Sequence, residues 1–162
     1  MPSEIDVRVK RDIAAHGWHV VKVAEDDVGP AHAFTIGLHE TWAHPEVVVT
    51  GPDLDVLHRL VNAVGEDVRE GRRFEADRAY EGIVAGLRCH FRAVHPANYR
   101  DFLGYAGWYY GGPGFPALQC VWPDAQGRFP WDEGFPEPLL REQPELGQPV
   151  HPAAGRRGPD GG

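Results

Sequence analysis

A polar turn between two apolar runs carries the residues best suited to chemistry. The turn lies within residues 32–50 and contains His39 and Glu40. An imidazole titrates near neutral pH, and a neighbouring carboxylate can hold it in one tautomer. If the protein is an enzyme, we expect His39 or the more distant His95 to act as a general base beside Glu40. No nucleophile motif accompanies them, because Ser3 is the only serine in the chain.

The same histidines could supply nitrogen ligands to a divalent metal. His39 and His44 are five residues apart, and His95 could add a third ligand from elsewhere in the chain. This is not the spacing of a helical H-E-x-x-H motif, and Pro45 would interrupt a helix here. We therefore predict no metal, and name these three histidines as the ligands if one is present. Otherwise His44 would cap the turn before Pro45, and His39 would bond a backbone carbonyl.

Tyrosines and tryptophans accumulate in the second half of the chain. Their flat faces and polar donors can line a pocket for a planar ligand such as a flavin, a haem or an aromatic metabolite. Gln119 adds an amide to an otherwise apolar strand, where it needs hydrogen-bond partners. We expect one shared hollow, with the cofactor unknown. The predicted ligand-binding residues are His39, His44, Trp108, Tyr109, Gln119 and Trp122.

The elements that must position these residues begin with helices. Residues 4–16 fit a helix capped by Ser3, although their apolar residues also alternate as in a strand. Asp53 starts the clearest helix, whose apolar stripe runs from Leu54 to Val68. The opposite face of this helix, with its interleaved arginines and carboxylates, is typical of a solvated surface. A further helix is predicted to begin at Pro96 and to end at the glycines after residue 110.

Strands are predicted between the helices. They cover residues 18–23, 32–38, 46–50, 83–94 and 115–122, and the continuously apolar third strand belongs in the middle of the sheet. The fold class is α+β, a mostly antiparallel sheet of about five strands with two main helices packed on it. We expect one domain over residues 1–146. Residues 147–162 are poor in apolar side chains and are predicted to be a disordered tail.

Charge and cysteine content limit the partners. The formal net charge is −8, which gives no field to attract nucleic acid or an anionic membrane surface. No apolar run reaches the length of a membrane helix, and no signal peptide is evident. Cys89 and Cys120 lie in apolar segments and are expected to be buried, reduced thiols rather than a nucleophile. These features predict a cytoplasmic protein with no nucleic-acid or membrane partner.

Several short blocks, in order along the chain, resemble a known family. They are Gly17-Trp18, residues 34–38, His44-Pro45-Glu46, His95-Pro96, residues 108–111, Trp122-Pro123-Asp124 and residues 127–131. Together they are similar to the bacterial family of domain of unknown function 4262, common in actinobacteria. The resemblance spans roughly residues 17–135. It implies a bacterial, cytoplasmic α+β domain, and it transfers no activity.

Three functions follow as hypotheses. The first is a small-molecule binding domain with a pocket lined by histidines and aromatic residues. The second is a protein-interaction module, immunity-like or accessory to a pathway, in which the acidic surface and exposed aromatic residues meet a basic partner. The third is a metal-dependent hydrolase or oxygenase. The sequence leaves open whether the protein is an enzyme.

Overall fold

The computed structural model describes residues 3–27 and 29–150. The predicted tail begins at Gly147; Gln148 and Val150 lie against Asn98, and residues 151–162 are outside the described part. The elements in chain order are α1 (Glu4–His16), β1 (His19–Val23), β2 (His32–Ile36), α2 (Leu38–Trp42), β3 (Glu46–Thr50), α3 (Leu54–Arg69), β4 (Arg78–Glu81), β5 (Arg88–Ala93), a 3-10 turn (Pro96–Asn98), α4 (Tyr99–Phe102), α5 (Gly104–Tyr110), β6 (Ala117–Val121) and α6 (Glu137–Glu142).

Helix α1 forms where it was predicted, with the expected cap. The Ser3 hydroxyl accepts from the Asp6 N–H at 3.1 Å, and the Asp6 carboxylate accepts from the Ser3 N–H at 3.2 Å. This reciprocal pair satisfies donors that the first turn leaves free. Gly17, at φ 99°, ends the helix in the left-handed conformation. The alternative of a strand over these residues is wrong.

The α+β class is confirmed, and the sheet differs in detail from the prediction. Within the described residues it has six strands in the order β1-β2-β3-β6-β5-β4, with β3 and β6 parallel and the other pairs antiparallel. The prediction of about five mostly antiparallel strands missed β4. That edge strand has exposed ends at Arg78 and Glu81 and no apolar alternation, so it resembled an irregular link. Strand β3 is fully buried in the middle of the sheet, as expected.

Helices cover both faces of the sheet. Helix α3 packs on one face through residues such as Val61 and Val64, whereas α1, α4 and α5 pack on the other, around Val9 and Phe102. The sequence predicted two main helices on the sheet, whereas the described chain has six α-helices. The helix expected from Pro96 is broken into a 3-10 turn, α4 and α5. No helix in residues 3–27 and 29–150 has the length and apolar content needed to cross a membrane.

Candidate functional site

Glu46, at the start of β3, is held in a cage of hydrogen-bond donors. Its side chain is fully buried. The cage closes the turn between β2 and β3, because it joins the start of one strand to the residues that follow the other. The donors are the Thr35 hydroxyl at 2.7 Å, the backbone N–H groups of Gly37 at 2.9 Å, Leu38 at 3.3 Å and His39 at 3.1 Å, and the hydroxyl of Tyr110.

The cage fits an ionised carboxylate. The Thr35 hydroxyl accepts from the Val47 N–H at 2.9 Å, and the Tyr110 hydroxyl accepts from the N–H groups of Gly37 and Glu40. Each hydroxyl accepts from the backbone on one side and donates its own proton to Glu46 on the other. Burial raises the pKa of Glu46, and its hydrogen bonds act in the opposite direction. Because every donor in the cage is already directed at the carboxylate, Glu46 is an anchor of the fold with no oxygen left for a ligand.

The predicted residues His39, Glu40 and Tyr109 do lie together beside this anchor. The His39 ring packs edge-on against Tyr110, with ring centroids 5.4 Å apart, and its Nδ1 is buried without a hydrogen-bond partner among the described residues. The Tyr109 hydroxyl donates to the Glu40 carboxylate. Burial and this contact raise the pKa of Tyr109 to about 12. Trp108 packs against Tyr109 and is 42% exposed, so this group faces the surface rather than a hollow.

His44 and His95, the other predicted ligands, have separate structural roles. His44 is buried; its Nδ1–H donates to the Pro45 carbonyl at 2.8 Å, and its Nε2 accepts from the Phe74 N–H at 3.0 Å. Burial lowers the pKa of His44, which favours the neutral ring. Because both of its nitrogens are hydrogen-bonded, neither is free to bind a metal. Nδ1 of His95 accepts from the Ala97 N–H and caps the 3-10 turn. In the described chain, no three His, Cys, Asp or Glu side chains converge as a metal site.

Gln119 and Trp122 fasten other parts of the chain. The Gln119 amide donates to the Pro144 carbonyl and accepts from the Leu146 N–H, both at 2.9 Å, which ties the C-terminal segment to the sheet. The Trp122 indole donates to the Thr50 carbonyl at 2.7 Å. These bonds satisfy the buried amide of Gln119 and the indole N–H of half-buried Trp122.

The expected shared hollow is wrong. Trp122 contacts Thr50, the last residue of β3, whereas Tyr110 contacts Glu46, the first. At about 3.3 Å per residue, the two ends of this strand are about 13 Å apart. The parallel register of β3 and β6 places Trp122 at the far end of the sheet from His39.

A cavity lined by polar groups lies elsewhere, at the free edge of strand β1. Because α1 and α3 lie on opposite faces of the sheet, a gap of about 400 Å³ opens between them where the sheet ends. We call it the histidine cleft. Its polar and aromatic lining comes from α1 (Asp12, His16), from Trp18 just before β1, from β1 (His19) and from α3 (His58, Asn62, Glu66, Arg69).

An oriented imidazole stands in this cleft. The Nδ1–H of His19 donates to the carboxylate of Asp12 at 2.6 Å, and the His19 side chain is 11% exposed. The carboxylate fixes the tautomer, so Nε2 carries the lone pair. Among the described residues no group hydrogen-bonds to that Nε2. A carboxylate that orients an imidazole is an arrangement that protein sites use to accept or donate a proton.

Trp18 forms the wall between the cleft and the core. Its indole donates to Asn62 Oδ1 at 3.2 Å and is almost fully buried. Helix α3 approaches it closely at Gly65, where an added Cβ would lie 2.5 Å from the indole. On the outer side the guanidinium of Arg69 lies 5.9 Å from the Trp18 ring and pairs with Glu66 at 2.9 Å. The wall is therefore fixed from both sides.

His58 completes the lining from α3. Burial lowers its pKa, with the positive charges of Lys22 and His19 acting in the same direction and Asp55 opposing them. Imidazoles from β1 and α3 therefore line the same cavity.

The sequence prediction did not name any residue of this cleft as a functional candidate. Asn62, Glu66 and Arg69 lie opposite the apolar stripe of α3, a position that in the sequence is typical of a solvated helix face. A signal was present, because Asp12 and His16 are four residues apart in α1, and His58, Asn62 and Glu66 recur at the same spacing in α3. Residues four apart share one face of a helix. Only the fold shows that the two faces meet at β1.

The described chain is an α+β protein with a mixed six-stranded sheet between helices and a polar cleft at one sheet edge. It belongs to the family described as a domain of unknown function, DUF4262, whose model matches residues 12–136. That match confirms the family resemblance of the sequence blocks. No curated protein and no solved structure matches the chain.

Proposed function

We propose that the protein binds a small polar molecule in the histidine cleft. The observation that carries this proposal is the His19 imidazole, oriented by Asp12 at 2.6 Å and lining a gap of about 400 Å³. Ligand sites are commonly concave, with a few polar groups that converge on an apolar wall. Here Trp18 is the wall, and the pocket is of the histidine and aromatic type predicted from the sequence, with different residues.

The geometry favours this cleft over the group around His39. Glu46 and Tyr110 there are engaged with the backbone at the start of α2, and Glu40 is engaged with Tyr109. His39 Nδ1 has no partner among the described residues, but it is buried. In the cleft, by contrast, the oriented His19 lines open space. The hypothesis of a metal-dependent hydrolase or oxygenase has no support from the predicted ligands, since both nitrogens of His44 are hydrogen-bonded.

A thermal-shift screen of metabolites tests the proposal. A ligand of the cleft should raise the Tm of the wild-type chain and raise that of His19→Gln much less. His90→Gln is the matched control, because His90 lies on β5 and is no part of the cleft. If hits stabilise all three proteins equally, they bind elsewhere, and the cleft is not the site.

A second candidate is an interaction module that uses the aromatic surface of α5. Tyr105 and Trp108 are 37% and 42% exposed and pack edge to face, with centroids 5.9 Å apart. Glu40, bonded to neighbouring Tyr109, adds a carboxylate. Aromatic faces beside negative charge suit a basic protein partner. Trp108→Ala should then remove partner binding and leave ligand stabilisation through the cleft intact.

We also propose that the protein is cytoplasmic. Cys89 and Cys120 are free, and both are buried. The hydrogen bond to Cys89 and burial raise the pKa of the Cys120 thiol, so it is held protonated. Adjacent free thiols are a state that a reducing compartment maintains. When the protein is unfolded without reductant, both Cys89 and Cys120 should react with a thiol-labelling reagent.

A further inference from the structure

We propose that the ligand of the histidine cleft carries an oxyanion, a phosphate or a carboxylate, bound by donors that protonated histidines and Arg69 supply. This inference rests on the proposed function, since it names the chemical class of the molecule that the cleft takes. It follows from which polar groups of the cleft already have partners and which do not, together with the N–H groups that Arg69 keeps beyond its one bond to Glu66.

Both carboxylates of the cleft are already engaged. Asp12 accepts from His19 at 2.6 Å, and Glu66 accepts from Arg69 at 2.9 Å. A cationic ligand would have to compete with these internal partners for either carboxylate. A cation that stacked on Trp18 would also be repelled by Arg69, whose guanidinium lies 5.9 Å from the centre of that ring. The cleft therefore has little to offer a cation.

The groups without partners are donors or become donors on protonation. Among the described residues, neither His16 nor His58 has a hydrogen bond to another side chain or to the backbone. Asn62 uses its oxygen to accept from Trp18, which leaves its NH₂ group for a ligand. His19, when protonated, would donate through Nε2 while Asp12 balances the charge. Several donors around one small space are the complement of an oxyanion.

At neutral pH the two carboxylates of the cleft, Asp12 and Glu66, outnumber its one fixed cation, Arg69, so binding of an anion requires protonation of the histidines. The formal charge of −8 disfavours polyanions at long range, so the site suits a small anion held by direct contacts rather than a nucleic acid. A volume of about 400 Å³ is enough for a small phosphorylated or carboxylated metabolite. The charged and titratable groups that line the cleft or act on His58 are Asp12, His16, His19, Lys22, Asp55, His58, Glu66 and Arg69.

Anion binding at this cleft should depend on pH. Burial and the charge of Lys22 lower the pKa of His58, and a bound anion would act in the opposite direction. Protonation of the histidines and binding of the anion therefore favour each other. The affinity for an oxyanion should increase as the pH falls from 8 to 6, whereas the affinity for a neutral molecule should not.

Matched probes of one size test the inference. We would titrate the full chain with benzyl phosphate, phenylacetate, benzyl alcohol and benzylamine, using calorimetry and the ring signals of the histidines in ¹H–¹³C NMR. The two anions should shift the signals of His16, His19 and His58, and their Kd should rise by at least about tenfold between pH 6 and pH 8. Binding by only one of the anions would identify the class as phosphate or as carboxylate.

Variants on one helix provide the control. Arg69→Gln should weaken binding of the anion by about tenfold at both pH values, because it removes a charged donor. Arg59→Gln removes the same charge from an exposed position of α3 outside the cleft, and it should have no effect.

The possible failures are distinguishable. If benzylamine or benzyl alcohol shifts the same histidines at least as strongly as the anions, the oxyanion class is wrong, and the cleft remains a binding site. If the anions bind wild type and Arg69→Gln equally well, and their affinity does not change with pH, the proposed oxyanion site is also wrong. If no probe and no metabolite shifts these histidines, the proposed function fails together with this inference.

Discussion

Asp12 and His19 are joined across the junction of α1 and β1 by a hydrogen bond of 2.6 Å between a carboxylate oxygen and Nδ1. The residues are seven apart in sequence, and the left-handed turn at Gly17 brings them together. Because the bond leaves Nε2 directed away from the carboxylate, the pair gives the histidine cleft an imidazole of defined orientation. The proposals on function depend on this pair.

Replacing Asp12 with asparagine should weaken ligand binding and the fold by similar free energies. The bond joins partly exposed groups, so its loss should cost about 1 kcal/mol in the free energy of unfolding and about fivefold in affinity. Urea unfolding and calorimetry measure the two effects. Asp101→Asn changes an exposed aspartate of α4, outside the cleft lining, and should alter neither quantity. Unchanged affinity in Asp12→Asn would show that the orientation of His19 is unimportant.

Gly65→Ala should destabilise the protein although it replaces a glycine inside a helix. The new Cβ would meet the Trp18 indole at 2.5 Å, and overpacking of this kind costs about 1–3 kcal/mol. The displaced indole should also change the tryptophan fluorescence. Gly107 of α5 has no atom within 4 Å of such a Cβ, so Gly107→Ala should be neutral or stabilising by up to about 1 kcal/mol. Equal effects of the two changes would contradict the close contact.

Tyr110→Phe should lower the free energy of unfolding by about 1–3 kcal/mol, because it removes a donor to buried Glu46 and an acceptor for two backbone N–H groups. Urea denaturation measures the change. Tyr105→Phe, on an exposed tyrosine of the same helix with no hydrogen bond among the described residues, should change stability by less than about 0.5 kcal/mol. A neutral Tyr110→Phe would mean that the cage does not hold the turn together.

Stability should fall as the pH drops below about 6.5. Burial lowers the pKa of His44 and of His32, so the unfolded chain binds protons more readily than the folded one. Their contribution is complete above the unfolded pKa and is lost as the pH falls from there through the folded pKa. The raised pKa of Glu46 acts oppositely, being favourable at low pH. The His44→Gln variant should therefore show a flatter decline than wild type in urea midpoints between pH 8 and pH 5.5; parallel declines would contradict the account.

Local signals in the sequence predicted the elements well. The capping pattern at Ser3 and the turn glycine Gly17 fixed the bounds of α1, and Asp53 with the apolar stripe behind it fixed the start of α3. The continuous valines of β3 correctly indicated a central strand. Each of these features depends on residues within a few positions of one another, which is the range over which sequence patterns carry information.

Contacts between distant segments were less predictable. The parallel pairing of β3 with β6 separates Trp122 from Tyr109, and no local pattern indicates that pairing. Polar residues on helix faces look solvated until the neighbouring element is known, so Glu66 and Arg69 were assigned to open surface. Likewise, no role was predicted for Glu46, although a carboxylate at the start of a strand that is buried on both faces needs hydrogen-bond partners.

The most direct test of a binding site in the histidine cleft is to follow the ring signals of all the histidines while a ligand from the metabolite screen is added. The account predicts that the signals of His19 and His58 move with one common Kd, while those of His90 and His95 stay fixed. Movement confined to His39, or signals that remain still at saturating ligand, would contradict it.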